Sequence, residues 1–196
     1  NTPHGLVAAT EDQGTGIRWY NGSFTTTGVT GTAIGTGLAN TNAIITSQGA
    51  TATSYAAGLA RAYTGGGYSD WYLPSKDELN QLYINRVAIG GFTSAFYWSS
   101  TEAALAYAWR QNLNDGTQDT LGKNGTYYVR AVRTFSIPTL TVVGNTTISG
   151  SVNISTIMTL APQSTLPTGT TGSLAVSGSS LYFYNGTAWK AVTVAA

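Results

Sequence analysis

Gly67-Tyr68-Ser69-Asp70-Trp71-Tyr72-Leu73-Pro74-Ser75-Lys76-Asp77-Glu78-Leu79 is the stretch on which the fold class turns. It joins a short aromatic segment, a proline and a helix start in one run. Ser75 and Glu78 are spaced as a capping box: the serine oxygen accepts from the Glu78 N–H while the Glu78 carboxylate accepts from the Ser75 N–H. Asp77 and Glu78 also place negative charge at the positive end of the helix dipole. The stripe Leu79, Leu82, Tyr83 and Arg86-Val87 then faces inward, and Gly90-Gly91 ends the helix. The preceding Asp70-Trp71-Tyr72-Leu73 is expected to pack beneath it.

Upstream, Ala52, Tyr55, Ala56, Leu59, Ala60 and Tyr63 recur at helical spacing, which predicts a helix over 51–63 stopped by Gly65-Gly66-Gly67. Residues 25–50 are rich in glycine and threonine and read as irregular. Ile17 to Phe24 reads as a strand entering an Asn21-Gly22 hairpin turn. Downstream of residue 95 the period becomes two. Phe96 to Ser100 is one strand. Ala106 to Leu113 is a second, with Tyr107, Trp109, Gln111 and Leu113 on one face. Asn114-Asp115-Gly116 turns the chain, Thr117 to Leu121 returns, Lys123-Asn124-Gly125 turns again, and Tyr127 to Phe135 forms a last strand. Two helices beside a small, mostly antiparallel sheet make an α+β domain.

The motifs at 67–79, Tyr97-Trp98-Ser99-Ser100-Thr101-Glu102, Tyr107-Ala108-Trp109 and Tyr128-Val129-Arg130-Ala131-Val132-Arg133-Thr134-Phe135 together resemble the DUF1566 group of C-type-lectin-like domains. The resemblance runs over about residues 4–135. The group includes the C-terminal domain of a Legionella collagen-like adhesin and variable proteins of diversity-generating retroelements. In the latter, the stretch between a Trp-Ser-Ser motif and the last strand is the ligand-binding face. The resemblance therefore implies a binding surface of Tyr107, Trp109, Gln111, Asn112, Asn114, Asp115, Thr117, Gln118, Asp119, Lys123 and Asn124. Tyr and Trp supply rigid amphipathic area there, and Asn, Gln and Asp supply adaptable hydrogen bonds. Against this, Tyr107 and Trp109 also fit the core of a strand, and Gln111 to Asn124 also fits a solvated loop. Arg130 and Arg133 read as scaffold ion pairs.

The chain departs from calcium-dependent lectins, because it has no cysteine and none of the carbohydrate and calcium triplets of that group. Asp115 and Asp119 alone fall short of the six to eight oxygens a calcium ion takes, so no metal and no cofactor are expected. Catalysis is not expected either. His4 is the one imidazole and lies in a frayed start. Asp77 and Glu78 are explained by capping, and Gly65-Gly66-Gly67 follows a helix instead of opening one, so it is no phosphate cradle.

Of 196 residues, 42% are hydrophobic and 22 are aromatic, so a core can form; formal net charge is +1. With no Lys/Arg cluster, nucleic acid is not an expected partner. No apolar run approaches the ~18 residues of a membrane span, and Asn1-Thr2-Pro3-His4 reads as a processed start of a soluble chain. The charge distribution is uneven. Residues 1–133 carry all the charged side chains except Lys190. A boundary is therefore expected near Ser136-Ile137-Pro138, with a ligand-binding domain over 1–135 and an all-β oligomerisation or stalk module over 136–196. Sparse apolar alternation from Leu140 to Leu160, a Pro/Thr/Gly connection over Ala161 to Gly172, and a hairpin about Asn185-Gly186 make up the second part. Its Leu181-Tyr182-Phe183-Tyr184-Asn185-Gly186 pattern resembles C-terminal modules of phage fibre proteins. The expected partners are two further copies in a homotrimer, other virion proteins, and a host cell-surface protein or glycan. This corresponds to a virion fibre or tip, the alternatives being a secreted bacterial adhesin that binds polysaccharide or a structural cap.

Overall fold

The computed structural model describes residues 4–49, 53–136, 162–163, 174–177 and 180–192. The chain divides into two compact units, Asn1–Leu140 and Thr141–Ala196. Unit one opens with β1 (His4–Ala8) and β2 (Gly14–Arg18), followed by helices α1 (Gly37–Gln48) and α2 (Ala56–Ala62). A single 3₁₀ turn, Gly65–Gly67, leads to α3 (Lys76–Ile84) and the short α4 (Arg86–Ile89). Strands β3 (Phe96–Ala104), β4 (Tyr107–Asn112), β5 (Gln118–Gly122), β6 (Thr126–Val129) and β7 (Val132–Ser136) complete it. The unit is mixed α and β, compatible with the α+β class. Its main sheet has the order β2-β6-β3-β4-β5, and β1 pairs with β7 in a separate two-stranded ladder. Only the β3–β6 contact in the main sheet is parallel.

The two faces of the main sheet make two cores, because neighbouring residues of a strand point to opposite sides. Trp98 points to one side, where it packs with Trp19, Ile44 of α1, Tyr55 and Ala60, and Val129. Tyr97 points to the other, against Leu79 and Leu82 of α3, with Leu113, Tyr72 and Val132. Helix α3 begins as its sequence dictates. Ser75 Oγ accepts from Glu78 N at 3.3 Å, and Glu78 Oε2 accepts from Ser75 N at 2.8 Å. The stripe ends sooner than expected: Asn85 breaks the helix, Arg86–Ile89 is a separate turn, and Val87 is 89% exposed.

Helix α1 replaces the irregular structure expected over 25–50. Its inward positions include Asn40, Thr41 and Gln48 beside Ile44, so its buried face is mostly polar and leaves no apolar stripe. Each polar group is matched: Asn40 Nδ2 donates to Gly31 O at 2.7 Å, and Thr41 Oγ1 accepts from Leu73 N at 3.0 Å. The expected helix over 51–63 contracts to α2; its first residues, Thr51 and Ala52, lie outside the described residues.

Asn21-Gly22 is not a hairpin turn. Strand β2 ends at Arg18 and pairs with β6, and Asn21 N donates instead to Gln48 Oε1 at 3.0 Å. The last strand is split. Between β6 and β7 the chain leaves the main sheet at Arg130-Ala131, and β7 pairs along its whole length with β1, from Ala8↔Val132 to His4↔Ser136. His4 thus stands in a strand and not in a frayed start. Buried Arg130 holds the crossing point: Nε meets Asp12 Oδ1 at 2.6 Å and Nη1 donates to Ala9 O at 2.9 Å.

In unit two, β8 (Pro162–Gln163), β9 (Leu174–Ser177), β10 (Ser180–Tyr184) and β11 (Trp189–Ala191) form a sheet in the order β11-β10-β9-β8. The hairpin about Asn185-Gly186 forms, with Tyr184 opposite Trp189; Asn185 Oδ1 accepts from Thr187 N and Ala188 N, and Gly186 takes φ 97°. Pro162 and Gln163, expected in a connection, pair with β9 in parallel. The alternation read over Leu140 to Leu160 lies outside the described residues. Among the described residues, no helix is long and apolar enough to cross a membrane.

Candidate functional site

Strands β4 and β5 form a regular ladder that fixes where each expected site residue points. Tyr107 lies opposite Gly122, Trp109 opposite Thr120 and Gln111 opposite Gln118; the intervening Arg110 lies opposite Asp119. Alternation therefore divides the expected surface. Tyr107, Trp109, Gln111 and Gln118 share the α3 side with Thr120, whereas Asn112 and Asp119 are on the other side.

On the α3 side, Tyr107 is 50% exposed and Trp109 half-buried. The Lys76 ammonium sits 4.7 Å from the centroid of the Trp109 ring, and among the described residues it pairs with no carboxylate. Gln111 is fully buried, which corrects its assignment as a contact residue. Its Nε2 donates to Asn80 Oδ1 at 2.8 Å and Gly116 O at 3.1 Å, and its Oε1 accepts from Gln118 Nε2 at 3.2 Å. Gln118 Nε2 also donates to Lys76 O at 2.9 Å. The two glutamines thus form a polar frame that locks β4 and β5 onto the start of α3, with Trp109, Tyr107 and Thr120 presented above it.

The opposite side is a closed stack. The Arg110 guanidinium lies 3.6 Å from the Phe96 ring centroid and 4.5 Å from that of Tyr127. It meets Asp119 in a two-pronged pair at 2.7 and 3.0 Å, so Asp119 is committed to Arg110.

The turns supply the remaining candidates. Asn114, Asp115 and Thr117 are exposed between β4 and β5. Thr117 N donates to Asp115 Oδ1 at 2.9 Å, and this bond holds the Asp115 carboxyl below its ordinary range. Asn112 is half-buried and caps Asn114 N through Oδ1 at 2.9 Å. Asn124 is exposed, but Lys123 is fully buried, a second correction. Its ammonium meets Glu102 Oε1 at 3.1 Å, donates to Thr25 O at 3.1 Å and lies 4.5 Å from the Trp19 ring. Burial lowers the lysine pKa, and the Glu102 carboxylate opposes that shift. Among the described residues, no group of three or more His, Asp or Glu is placed to hold a metal ion.

The structure brings together Tyr107, Trp109, Gln118 and the exposed turn, and separates Asp119 and Lys123 from them. Sequence reasoning missed Lys76, Thr120 and Leu105. Lys76 stands inside the capping box without a part in it, and the period-two pattern from Gln118 places Thr120 beside Trp109. Leu105, 53% exposed, lies in the β3–β4 turn next to Tyr107.

A mixed α and β domain that displays exposed Tyr107 and half-buried Trp109 on a hydrogen-bonded strand pair is the class these features define. The family model of the Lcl C-terminal domain matches residues 8–133, and the chain belongs to that family, the one its motifs resemble. No match to the chain was found among curated proteins.

Proposed function

We propose that the chain is a non-enzymatic attachment protein whose first unit, a C-type-lectin-like domain, binds a cell-surface protein or glycan. The observation that carries this reading is the rigid placement of exposed Tyr107 and half-buried Trp109 beside Lys76 on the α3 side of the β4–β5 ladder. Gln118, Thr120, Leu105 and the turn Asn114–Thr117 surround them. Aromatic anchors held by a satisfied polar frame lose little entropy on binding. Membership in the Lcl C-terminal domain family supports a surface adhesin. The near absence of charge after residue 133 supports the narrower setting of a virion fibre or tip. Host attachment through several copies would then gain from avidity.

The test is binding of the full chain to host cells and to a glycan panel, wild type against Tyr107→Ala/Trp109→Ala. Binding hot spots cost about 2 kcal/mol or more, roughly a 30-fold loss. The expected result is a loss of at least that size with an unchanged near-ultraviolet circular dichroism outside the two removed rings. Full binding by the double variant would remove this face from consideration. Binding to host cells but not to bacterial polysaccharide favours the virion setting, and the reverse favours the bacterial adhesin.

A further inference from the structure

The dipeptide Asn-Gly occurs at 21–22, 124–125 and 185–186, and at the last two the next residue is threonine. Such a dipeptide carries its own chemistry. The glycine nitrogen can reach the asparagine Cγ and close a succinimide ring, and glycine has no Cβ to obstruct the approach. Because Asn124 and Asn185 share the same Asn-Gly-Thr sequence, a difference in reactivity between them belongs to the fold.

The fold treats the three sites differently. At Asn124 the attacking nitrogen is engaged, since Gly125 N donates to Gly122 O at 2.9 Å. At Asn21 the leaving group is held: Nδ2 donates to Gln48 O, while Oδ1 accepts only from Ser23 N, at 3.3 Å. Asn185 differs on both counts. Its Oδ1 accepts from Thr187 N at 3.0 Å and from Ala188 N at 2.9 Å. Among the described residues, neither Asn185 Nδ2 nor the Gly186 N–H donates to an acceptor, and Asn185 and Gly186 are both exposed. Two N–H groups thus already point at the oxygen on which charge collects during attack, and they polarise Cγ as an oxyanion hole does.

We propose that Asn185 is a site of spontaneous modification, converted to aspartate and isoaspartate by attack of the Gly186 nitrogen. The Gly186 N–H proton is lost to water and the N–Cγ bond forms, with the negative charge on Oδ1 between its two donors. The Cγ–Nδ2 bond then breaks, and Nδ2 takes up a proton and leaves as ammonia. Water opens the succinimide. Breaking the new N–Cγ bond gives aspartate, and breaking the original peptide bond gives isoaspartate, whose main chain runs through Cβ and Cγ; the net exchange is water in and ammonia out. Aspartate keeps an acceptor for Thr187 N and Ala188 N. Isoaspartate lengthens the connection between Tyr184 and Trp189, the pair that closes the hairpin. Either product puts a carboxylate on the hairpin that carries Lys190, the only charged side chain after residue 133. This inference is independent of the ligand assigned to the first unit.

The test follows all three sites in one sample. The full chain is aged at neutral pH, with a parallel sample in urea, and each is digested at intervals. Mass spectrometry reads the exchange of amide for acid in each peptide, and isoaspartyl methyltransferase labelling reads the isoaspartate. In the native chain Asn185 is expected to react at least about tenfold faster than Asn124, short of the roughly 100-fold that one such donor gives in a water-excluded site. Asn21 is expected to be slower than Asn185 as well. In urea the rates at Asn124 and Asn185 should converge. A native chain in which Asn185 reacts no faster than Asn124 overturns the proposal. So does a difference between the two that persists undiminished in urea, which would place its origin outside the fold.

Discussion

Lys123 and Glu102 allow a sharp test, because the two ends of this buried pair are not equally supported. Glu102 Oε1 faces Lys123 at 3.1 Å, while Oε2 accepts from Thr27 N at 2.7 Å, from Gly28 N at 3.0 Å and from the Thr27 hydroxyl. Lys123 has only Glu102, Thr25 O and the Trp19 ring. Replacing Lys123 by Met keeps most of the stem volume and leaves a carboxylate with three donors. Replacing Glu102 by Leu strands a buried ammonium and two backbone N–H groups. Breaking a buried pair costs about 3–5 kcal/mol, and the N–H groups of half-buried Thr27 and exposed Gly28 add the smaller cost of a net hydrogen bond, about 1 kcal/mol each. Lys123→Met is therefore expected near the low end, about 3 kcal/mol. Glu102→Leu is expected above about 5 kcal/mol, enough to unfold a domain of ordinary stability. Urea unfolding followed by tryptophan fluorescence reads both, since Trp19 lies against the pair. Equal losses, or a loss under about 1 kcal/mol for Glu102→Leu, would refute the assignment of Glu102 as the organiser of the 25–28 loop.

Three further outcomes follow from the same geometry. Burial, the foremost cause, pushes the Tyr97 hydroxyl up to about 12; it donates to Asp12 Oδ2 at 2.9 Å. Because the unfolded tyrosine titrates near 10, its stabilisation is complete below about pH 10 and is lost as pH rises through about 12. Tyr97→Phe should remove that part of the alkaline fall in melting temperature; an identical slope in both proteins would contradict it. Gly37→Ala should destabilise by about 1–3 kcal/mol, since a Cβ there would lie 2.1 Å from Glu78 Oε2 and 2.8 Å from Ser75 N; a neutral thermal shift would count against this packing. Ser75→Ala should cost about 1 kcal/mol or more, read by chemical denaturation, as Ser75 Oγ also donates to Ala33 O at 3.0 Å.

Legibility in the sequence followed how local each determinant is. The α3 start is written in Ser75 and Glu78, and the β4–β5 ladder in a period-two pattern, so both could be read directly. Helix α1 could not, because its buried Asn40, Thr41 and Gln48 find their partners outside the helix, in Gly31 O, Leu73 N, Asn21 N and the Thr25 hydroxyl. The burial of Lys123 was hidden for the same reason: beside Asn124-Gly125 it reads as a turn residue, and its partner Glu102 belongs to another strand. Gln111 lay on the expected face but serves as the frame beneath it, a distinction that depends on Asn80 and Gln118. Nor does the break at Arg130-Ala131 show in a continuous β-prone run. It is set by Asp12 and the Ala9 carbonyl, which draw the guanidinium inward.

The β1–β7 ladder has a mechanical consequence. His4 and Ser136 are paired at its end, so the polypeptide enters and leaves this part of the fold at one spot. Tension applied along the chain through these two points peels the ladder one residue pair at a time and does not shear it as a block, so resistance there is low. Load arriving at the binding face proposed on β4 and β5 would take another route. It would be shared first over the β4–β5 ladder, which is paired from Tyr107↔Gly122 to Gln111↔Gln118. The same domain would thus answer tension on its ends and tension on the proposed binding face with different sets of hydrogen bonds.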